Sequence, residues 1–393
     1  MTKDVQELIY PYAKHAITQA DCDSVLKALK SDKITRGPIT QEFEKAIANY
    51  VGARFALTFN SGTAALQAAY FAAEACGQDR LITCPNSFVA TTGAALQCGV
   101  KPYFVDIDLN SGNIDLEKLE RLINMPLSRG RLIIAPVHFA GIAVDMKKLS
   151  SCIKNPDSLV IEDGAHALGS SYPTGEKVGS CAYSDMTILS FHPAKHITTG
   201  EGGAVTTNDE KLYHRLRLFR NNGIERKKPY LLGEEEKGYY EVQALTGNYH
   251  ISEFSAALGL SQFQRLDSLV ERRRQLVRRY RGHFEGVPPI RLFSPEFDER
   301  TAYHLMCLQI NFKSLTIGRQ ELMTELAEEG IGTEIHYIPI YRHPAVKKLY
   351  QFDPDQFPNC EQYWSETLSI PLYPTLEEKD VDCIATTLKG LLQ

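Results

Sequence analysis

The sequence lacks the features of membrane-bound, secreted and nucleic-acid-binding proteins. None of its apolar runs approaches the roughly 20 residues of a membrane-spanning helix, and the opening residues, Met1 to Glu7, have no apolar centre of the kind that a secretory signal needs. The charges nearly balance, since 43 basic and 48 acidic residues give a formal net charge of -5. This balance indicates neither nucleic acid nor an anionic membrane as a partner. We therefore expect a cytoplasmic protein with small-molecule ligands.

Several cysteine and glycine patterns are also missing. The nine cysteines are odd in number and scattered, and none forms a Cys-x-x-Cys pair, so the usual zinc and redox motifs are absent. The chain has neither a Gly-x-Gly-x-x-Gly fingerprint nor a Gly-Lys-Ser/Thr phosphate loop. Dinucleotide and nucleoside-triphosphate binding therefore lose support, and a dehydrogenase is disfavoured.

The pattern that is present is that of an α/β protein. With 393 residues and 43% hydrophobic content the chain can bury a large core, and its length suggests two or three domains. Between residues 53 and 207, short apolar runs alternate with segments of helical period, as in βαβ units around a mostly parallel sheet flanked by helices. The sequence predicts helices at residues 62–73 and 87–97, and strands at residues 55–59, 81–84, 102–105, 132–137, 159–162, 187–190 and 204–206.

After about residue 208 the sequence changes in character. Residues 221–246 are polar and charged, which favours a long mobile loop. From Ser252 a helix with an apolar stripe is predicted to run past Leu269. Predicted strands at 305–310 and 334–337 and helices at 318–329 and 377–391 indicate an α+β unit. We expect a large domain over residues 1–250, and a linker helix with a smaller C-terminal domain over residues 251–393.

Lys195 is the most informative single residue. It follows a predicted buried strand and precedes the glycine-rich segment Gly200-Glu201-Gly202-Gly203, a setting in which a desolvated amine can form a Schiff base with an aldehyde cofactor. A lysine near glycines is more often a solvated loop residue. His192 and His196 could suggest a metal site, but no third ligand stands at a suitable spacing.

Two further motifs lie at predicted strand ends. Asp163 ends an apolar strand of a parallel sheet, where ligands bind and where a carboxylate could pair with a protonated ring nitrogen; alternatively it caps the next helix. In Asn60-Ser61-Gly62-Thr63 a strand turns into a helix whose first N–H groups would be free, which suits one phosphate group or an ordinary helix cap.

Taken in order, these motifs resemble the DegT/DnrJ/EryC1/StrS sugar aminotransferases, a branch of the fold-type I pyridoxal-phosphate enzymes. The resemblance extends over nearly the whole chain. It includes four further motifs, Thr35-Arg36-Gly37-Pro38, Ser87-Phe88-Val89-Ala90-Thr91, Pro136-Val137-His138-Phe139-Ala140-Gly141 and Asn248-Tyr249-His250-Ile251-Ser252-Glu253. Dehydratases of this group carry histidine in place of the lysine, whereas here Lys195 is in register and His196 comes one place later. The resemblance therefore implies transamination.

The resemblance also implies residue roles around pyridoxal 5'-phosphate. Lys195 would bind the cofactor and move protons, and Asp163 would pair with the ring nitrogen. His166 would lie by the phenolic oxygen, and Phe88 would stack on the ring. The phosphate would be held by Gly62, Thr63, Ser190 and, from the second subunit of a homodimer with shared active sites, Asn248.

Within the family, the sequence most resembles the branch that aminates C4 of a UDP-linked 4-keto-6-deoxy-N-acetylhexosamine in pseudaminic acid biosynthesis, with L-glutamate as donor. The segment His336-Tyr337-Ile338-Pro339-Ile340-Tyr341 is the more particular part of this resemblance, and His336 and Tyr341 are candidate substrate contacts. Another nucleotide-linked 3- or 4-keto sugar and a non-catalytic sensory protein remain alternatives. Six arginines between Arg272 and Arg281 favour a solvated or salt-bridged helix face over a nucleotide site.

Overall fold

A seven-stranded sheet forms the centre of the larger part of the molecule. The computed structural model describes residues 8–125 and 129–393. The strands of this sheet are β1 (Phe55–Phe59), β2 (Arg80–Thr83), β3 (Lys101–Phe104), β4 (Leu132–Ile134), β5 (Leu159–Asp163), β6 (Met186–Ser190) and β7 (Gly203–Thr207). Their order in space is β1-β7-β6-β5-β4-β2-β3, and only β7 runs antiparallel to its neighbours. The predicted α/β fold class with a mostly parallel sheet is confirmed.

The sheet is covered by helices on both faces, so its central strands are buried and read as apolar runs. The helix α3 (Gly62–Ala72) packs on β6 and β7 through a face of alanines, Ala64, Ala65, Ala68, Ala69 and Ala72. Small side chains let the helix approach the sheet closely. The helices of this part are α1 (Gln19–Leu29), α2 (Pro38–Val51), α3 (Gly62–Ala72), α4 (Val89–Gln97), α5 (Leu116–Ile123), α6 (Met146–Cys152) and α7 (Glu210–Arg220).

The predicted long loop at residues 221–246 contains a short antiparallel hairpin, formed by β8 (Ile224–Glu225) and β9 (Glu241–Val242). The register pairs Ile224 with Val242. Glu241 accepts hydrogen bonds from the N–H groups of Leu232 and Gly233, which orders the turn of the hairpin. Such side-chain contacts have no periodic signal in the sequence.

The predicted continuous helix from Ser252 is wrong, because the chain forms two helices, α8 (Glu253–Phe263) and α9 (Leu266–Phe284). Neither proline nor glycine stands at the break. Gln262 accepts a hydrogen bond from the N–H of Thr198, and Arg265 pairs with Asp21 at 2.6 Å. These tertiary contacts hold the chain on each side of the bend.

A smaller three-stranded antiparallel sheet, in the order β10-β11-β12, organises the C-terminal part. Its strands are β10 (Ile290–Arg291), β11 (Met306–Ile310) and β12 (Thr367–Ile370), and its helices are α10 (Arg319–Glu328), α11 (Pro344–Leu349), α12 (Pro358–Glu366) and α13 (Glu378–Leu391). The strand predicted at 334–337 is wrong, since Glu334 forms only a single bridge with Ser369. The division into domains at residue 250 stays a prediction. The N-terminal segment pairs Tyr10 with Ile331 and so packs on the C-terminal part, which the division did not anticipate.

Candidate active site

Lys195 lies in the turn that joins β6 to β7. Its backbone N–H donates to the carbonyl of His192 at 2.8 Å, and its side-chain Nζ lies 3.2 Å from Nε2 of His304. The pKa of the Lys195 amine is lowered to about 7, chiefly by burial; the charge of Asp163 opposes this shift, and the charge of Arg273 adds to it. An amine of this kind is neutral in a large fraction of molecules near pH 7 and can act as a nucleophile or a base.

Asp163 is the last residue of β5 and is buried, with 6% of its surface exposed. Its carboxylate accepts hydrogen bonds from the hydroxyl of Thr91 at 2.5 Å and from the N–H of Ala165 at 3.1 Å. The alternative role as a cap of the next helix does not apply, because the chain after Asp163 continues as turns up to β6. Since β5 and β6 are parallel neighbours, their carboxyl ends bring Asp163 close to the turn that carries Lys195.

The turn between β1 and α3 leaves helix N–H groups free. Ser61 caps α3 by accepting a hydrogen bond from the N–H of Ala64 at 3.0 Å, so the N–H groups of Gly62 and Thr63 have no partner within the helix. A Cβ atom on Gly62 would lie 3.1 Å from Cβ and Oγ of Ser190, and one on Gly203 would lie 2.7 Å from Gly62 Cα. At Gly203 only glycine fits this close approach to the backbone, and the turn forms a cradle for an anion at a helix N-terminus.

His166 is buried in the turn after β5. The N–H of Ala140 donates to its Nδ1 at 3.3 Å, so the neutral ring carries its proton on Nε2, which lies 3.1 Å from the hydroxyl of Tyr337. Burial, followed by the charge of Lys195, lowers the pKa of His166 well below its usual value. The ring is therefore a neutral hydrogen-bond donor at the site.

Phe88 precedes α4 and is the exposed aromatic residue of the site. Its ring is 56% exposed and lies 6.2 Å from the ring of Tyr337, measured between centroids. An exposed aromatic face beside buried polar groups is suited to stacking on a flat ligand.

The structure separates the two candidate substrate contacts. His336 is buried near Lys195, and its Nδ1 lies 2.9 Å from the hydroxyl of Ser369. Tyr341 lies in the hydrophobic core, stacked on Phe357, and its hydroxyl donates to Glu361 at 2.6 Å. The position of Tyr341 therefore does not support a substrate contact.

Asn248 is exposed and lies in the segment that precedes α8. Its backbone bridges to Asn221, and the next residue, Tyr249, accepts a hydrogen bond from the N–H of Asn60 at 3.0 Å. The segment that contains Asn248 therefore lies beside the turn before α3. Its contact with a second subunit stays a prediction.

Three site residues escaped the sequence analysis: Thr91, His304 and Tyr337. Thr91 and Tyr337 lie in motifs that carried the family resemblance, but within those motifs the predicted roles fell on Phe88 and His336. His304 lies outside the motifs that resemble the family. Its position depends on a contact across 109 residues of sequence.

His196 and several arginines of α9 have structural partners. Nε2 of His196 lies 2.6 Å from the carbonyl of Ala302, and the described residues contain no group of three or more possible metal ligands. On α9, Arg279 pairs with Asp382, Arg281 with Asp298 and Arg278 with Glu271. The expectation that this helix face is salt-bridged is confirmed for these arginines.

The fold is that of fold-type I pyridoxal-phosphate enzymes, in which the carboxyl edge of a mostly parallel sheet carries the cofactor site. Residues 15–389 match the DegT/DnrJ/EryC1/StrS aminotransferase family, and the chain belongs to this family.

Individual relatives match over nearly their full length. A UDP-4-amino-4,6-dideoxy-N-acetyl-beta-L-altrosamine transaminase of Campylobacter jejuni is 36% identical over 384 residues, 97% of each protein. The structure of Helicobacter pylori PseC, an aminotransferase involved in the biosynthesis of pseudoaminic acid, is similar with a TM-score of 0.88 at 30% identity, covering 98% of this chain and 99% of that one. The PMP-form of Spr1654 from Streptococcus pneumoniae has a TM-score of 0.87 at 28% identity, covering 97% and 98%.

Proposed function

We propose that this chain uses pyridoxal 5'-phosphate to transfer an amino group from L-glutamate to C4 of a UDP-linked 4-keto-6-deoxy-N-acetylhexosamine, in the pathway to pseudaminic acid. The observation that carries the reaction type is the meeting of the Lys195 amine and the Asp163 carboxylate at one edge of the sheet, next to the free N-terminus of α3. The names of the Campylobacter and Helicobacter relatives support the choice of sugar.

The residues present fit the cofactor. The glycine cradle at Gly62 and Gly203 leaves room and free N–H groups for one phosphate, to which Thr63 and Ser190 would add hydroxyl groups. Asp163 would pair with the ring nitrogen, Phe88 would stack on the ring, and His166 would donate from Nε2 to the phenolic oxygen. When bound, the cofactor supplies an electron sink for the carbon that exchanges its amino group and its proton.

Lys195 would carry out the proton transfers. Because its pKa lies at about 7, the amine can accept a proton from one carbon and return it to another near neutral pH. Asp163 would hold a positive charge opposite it, and the hydrogen bonds from Thr91 and Ala165 fix the position of its carboxylate. His336, buried near Lys195, remains a candidate for the substrate side of the site.

We further expect a homodimer in which Asn248 of each chain completes the site of the other. Large apolar residues are exposed around the hairpin next to Asn248, among them Leu232 at 84% and Leu245 at 98%. Exposed apolar side chains grouped in one region of the surface are typical of a protein–protein interface. The second subunit would cover them.

The visible absorption spectrum of the purified protein tests the proposal. We expect the bound cofactor to give a yellow protein, L-glutamate to bleach the visible band, and the UDP-linked keto-sugar to restore it. Restoration only by a different nucleotide-linked keto sugar would keep the reaction and replace the substrate. A yellow protein that glutamate leaves unchanged would instead favour a non-catalytic sensory role, and a protein that stays colourless with added cofactor would refute the proposal.

A further inference from the structure

Arg273 is a buried cation without an anionic partner. It lies on α9 with 1% of its surface exposed, and no carboxylate of the described residues forms a salt bridge with it. Its Nη1 donates instead to three backbone carbonyls, those of Leu372 at 2.9 Å, His304 at 3.3 Å and Tyr303 at 3.4 Å, and its Nε has no partner. Because an unpaired buried charge is unfavourable for stability, its presence calls for a functional explanation.

His304 connects this cation to the site. Its backbone is held on both sides, since its N–H donates to the carbonyl of Ala140 at 2.9 Å and its carbonyl accepts from Arg273. Its imidazole is buried with Nε2 3.2 Å from Nζ of Lys195, and Nδ1 has no partner. Burial, followed by the charge of Lys195, lowers the pKa of His304 well below its usual value, so the ring is neutral.

We propose that Arg273 is a positioning residue that acts through His304: it clamps the Tyr303–His304 backbone, so that the neutral imidazole orients the Lys195 amine, and its charge, which no carboxylate of the described residues pairs with, favours the neutral form of that amine. His304 touches the reacting nitrogen, whereas Arg273 touches only the backbone. This role rests on the proposed function of Lys195 in the aminotransferase reaction. In it, Arg273 and His304 together set the orientation and the protonation of the Lys195 amine.

The charges around Lys195 support this division of roles. The described groups that act on Lys195 or respond to its charge are Asp163 at the end of β5, Arg273 on α9 and four histidines, His166, His196, His304 and His336. Burial lowers the pKa of all four histidines, which are therefore neutral near pH 7. Among these groups, Arg273 is thus the cation that opposes, in part, the attraction between Asp163 and a protonated Lys195.

The first experiment measures Lys195 in the protein without cofactor. Acetylation by a limiting amount of acetic anhydride is followed by peptide mass spectrometry across a pH series, with the exposed Lys33 as an internal reference. For the wild type we expect a labelling midpoint near pH 7, because the pKa of Lys195 is lowered to about 7. Arg273→Met should move the midpoint upward by about 0.5–1 pH unit, and Arg273→Lys, which keeps the charge, should move it less.

Arg278→Met is the matched control, because Arg278 is an exposed arginine of the same helix that pairs with Glu271. It should leave the midpoint and the activity unchanged. An unchanged midpoint in a folded Arg273→Met protein would overturn the charge part of the proposal. The result does not depend on bound cofactor, so it is separate from a failure of the proposed function, which the absorption spectrum reveals.

A second pair of variants keeps the proposal testable if Arg273→Met does not fold. His304→Gln retains a hydrogen-bonding group beside Lys195, whereas His304→Phe fills the space without one. In the cofactor-loaded protein, we expect His304→Phe to slow the bleaching by L-glutamate at least tenfold relative to His304→Gln. The glutamate concentration that gives half of the maximal rate should be similar in the two variants. Equal rates in the two variants would show that the imidazole does not orient the amine.

Discussion

At the scale of single residues, the proposed chemistry depends on the ionisation of Lys195. Its lowered pKa means that the neutral amine is favoured above about pH 7 and is lost as the pH falls below that value. We predict that Lys195→Ala binds the cofactor without a covalent link and loses amino transfer by a factor of about 10²–10⁴ or more. Spectra of the dialysed variant and single-turnover rates measure both effects. Lys154→Ala, at an exposed position, is the control, and normal turnover in Lys195→Ala would refute the assignment.

Thr91 and Thr92 are adjacent, buried threonines, and we expect their replacement by valine to have different effects. The hydroxyl of Thr91 donates to the Asp163 carboxylate at 2.5 Å, whereas the hydroxyl of Thr92 has no partner. Thr91→Val should lower the rate of amino transfer by about 10-fold to 100-fold, because a hydrogen bond to a buried charge is lost. Thr92→Val should keep the rate and leave the free energy of unfolding equal or about 1 kcal/mol higher. Equal activities of the two purified variants would contradict this reading of Asp163.

At the scale of secondary-structure elements, the start of α2 depends on a side chain from α8. Glu253 is fully buried and accepts hydrogen bonds from the N–H groups of Ile39 at 2.9 Å and Thr40 at 3.2 Å. A Cβ atom on Gly37 would lie 2.6 Å from Oε2 of Glu253. The glycine of the Thr35-Arg36-Gly37-Pro38 motif therefore makes room for a cap that comes from a distant helix.

Gly37→Ala should consequently destabilise the protein by about 1–3 kcal/mol. The added methyl group would push the Glu253 carboxylate away from the N–H groups of Ile39 and Thr40, whose hydrogen bonds it accepts. Gly282→Ala is the control. Gly282 is an exposed glycine within α9, and a Cβ atom there meets no neighbour within 4 Å. This variant should gain about 0.5–1 kcal/mol from helix propensity. Urea unfolding compares the two, and a Gly37→Ala protein as stable as Gly282→Ala would rule out the capping role.

At the scale of the whole molecule, shared active sites predict complementation between two inactive variants. Lys195→Ala removes the amine of one chain, and Asn248→Ala removes the side chain proposed to serve the partner's site. A mixed dimer then holds one intact site and one site with both defects. Co-refolding equal amounts should restore about a quarter of wild-type activity, since about half of the dimers are mixed. If each site came from one chain, the mixture would remain as inactive as its components.

The regular elements were the predictable part of the fold. The β1 strand has the predicted bounds, and the other six strands of the large sheet differ at their ends by one to three residues, because buried parallel strands are short apolar runs between turn residues. The bend between α8 and α9 and the hairpin formed by β8 and β9 were not predictable. Both depend on side chains that find partners elsewhere in the fold, Gln262 with Thr198 and Glu241 with the turn of its hairpin. The described residues include no helix that is long and apolar enough to cross a bilayer.

The sequence by itself determined the α/β fold class and family, and it singled out Lys195, Asp163 and Gly62, because each stands at a strand end within a local motif. The tertiary structure decided how these residues are tuned. Lys195 meets His304 across 109 residues of sequence, and Arg273 reaches the same backbone from α9. Contacts of this kind arise when separate elements pack together, and desolvation of the Lys195 amine exists only once they have done so.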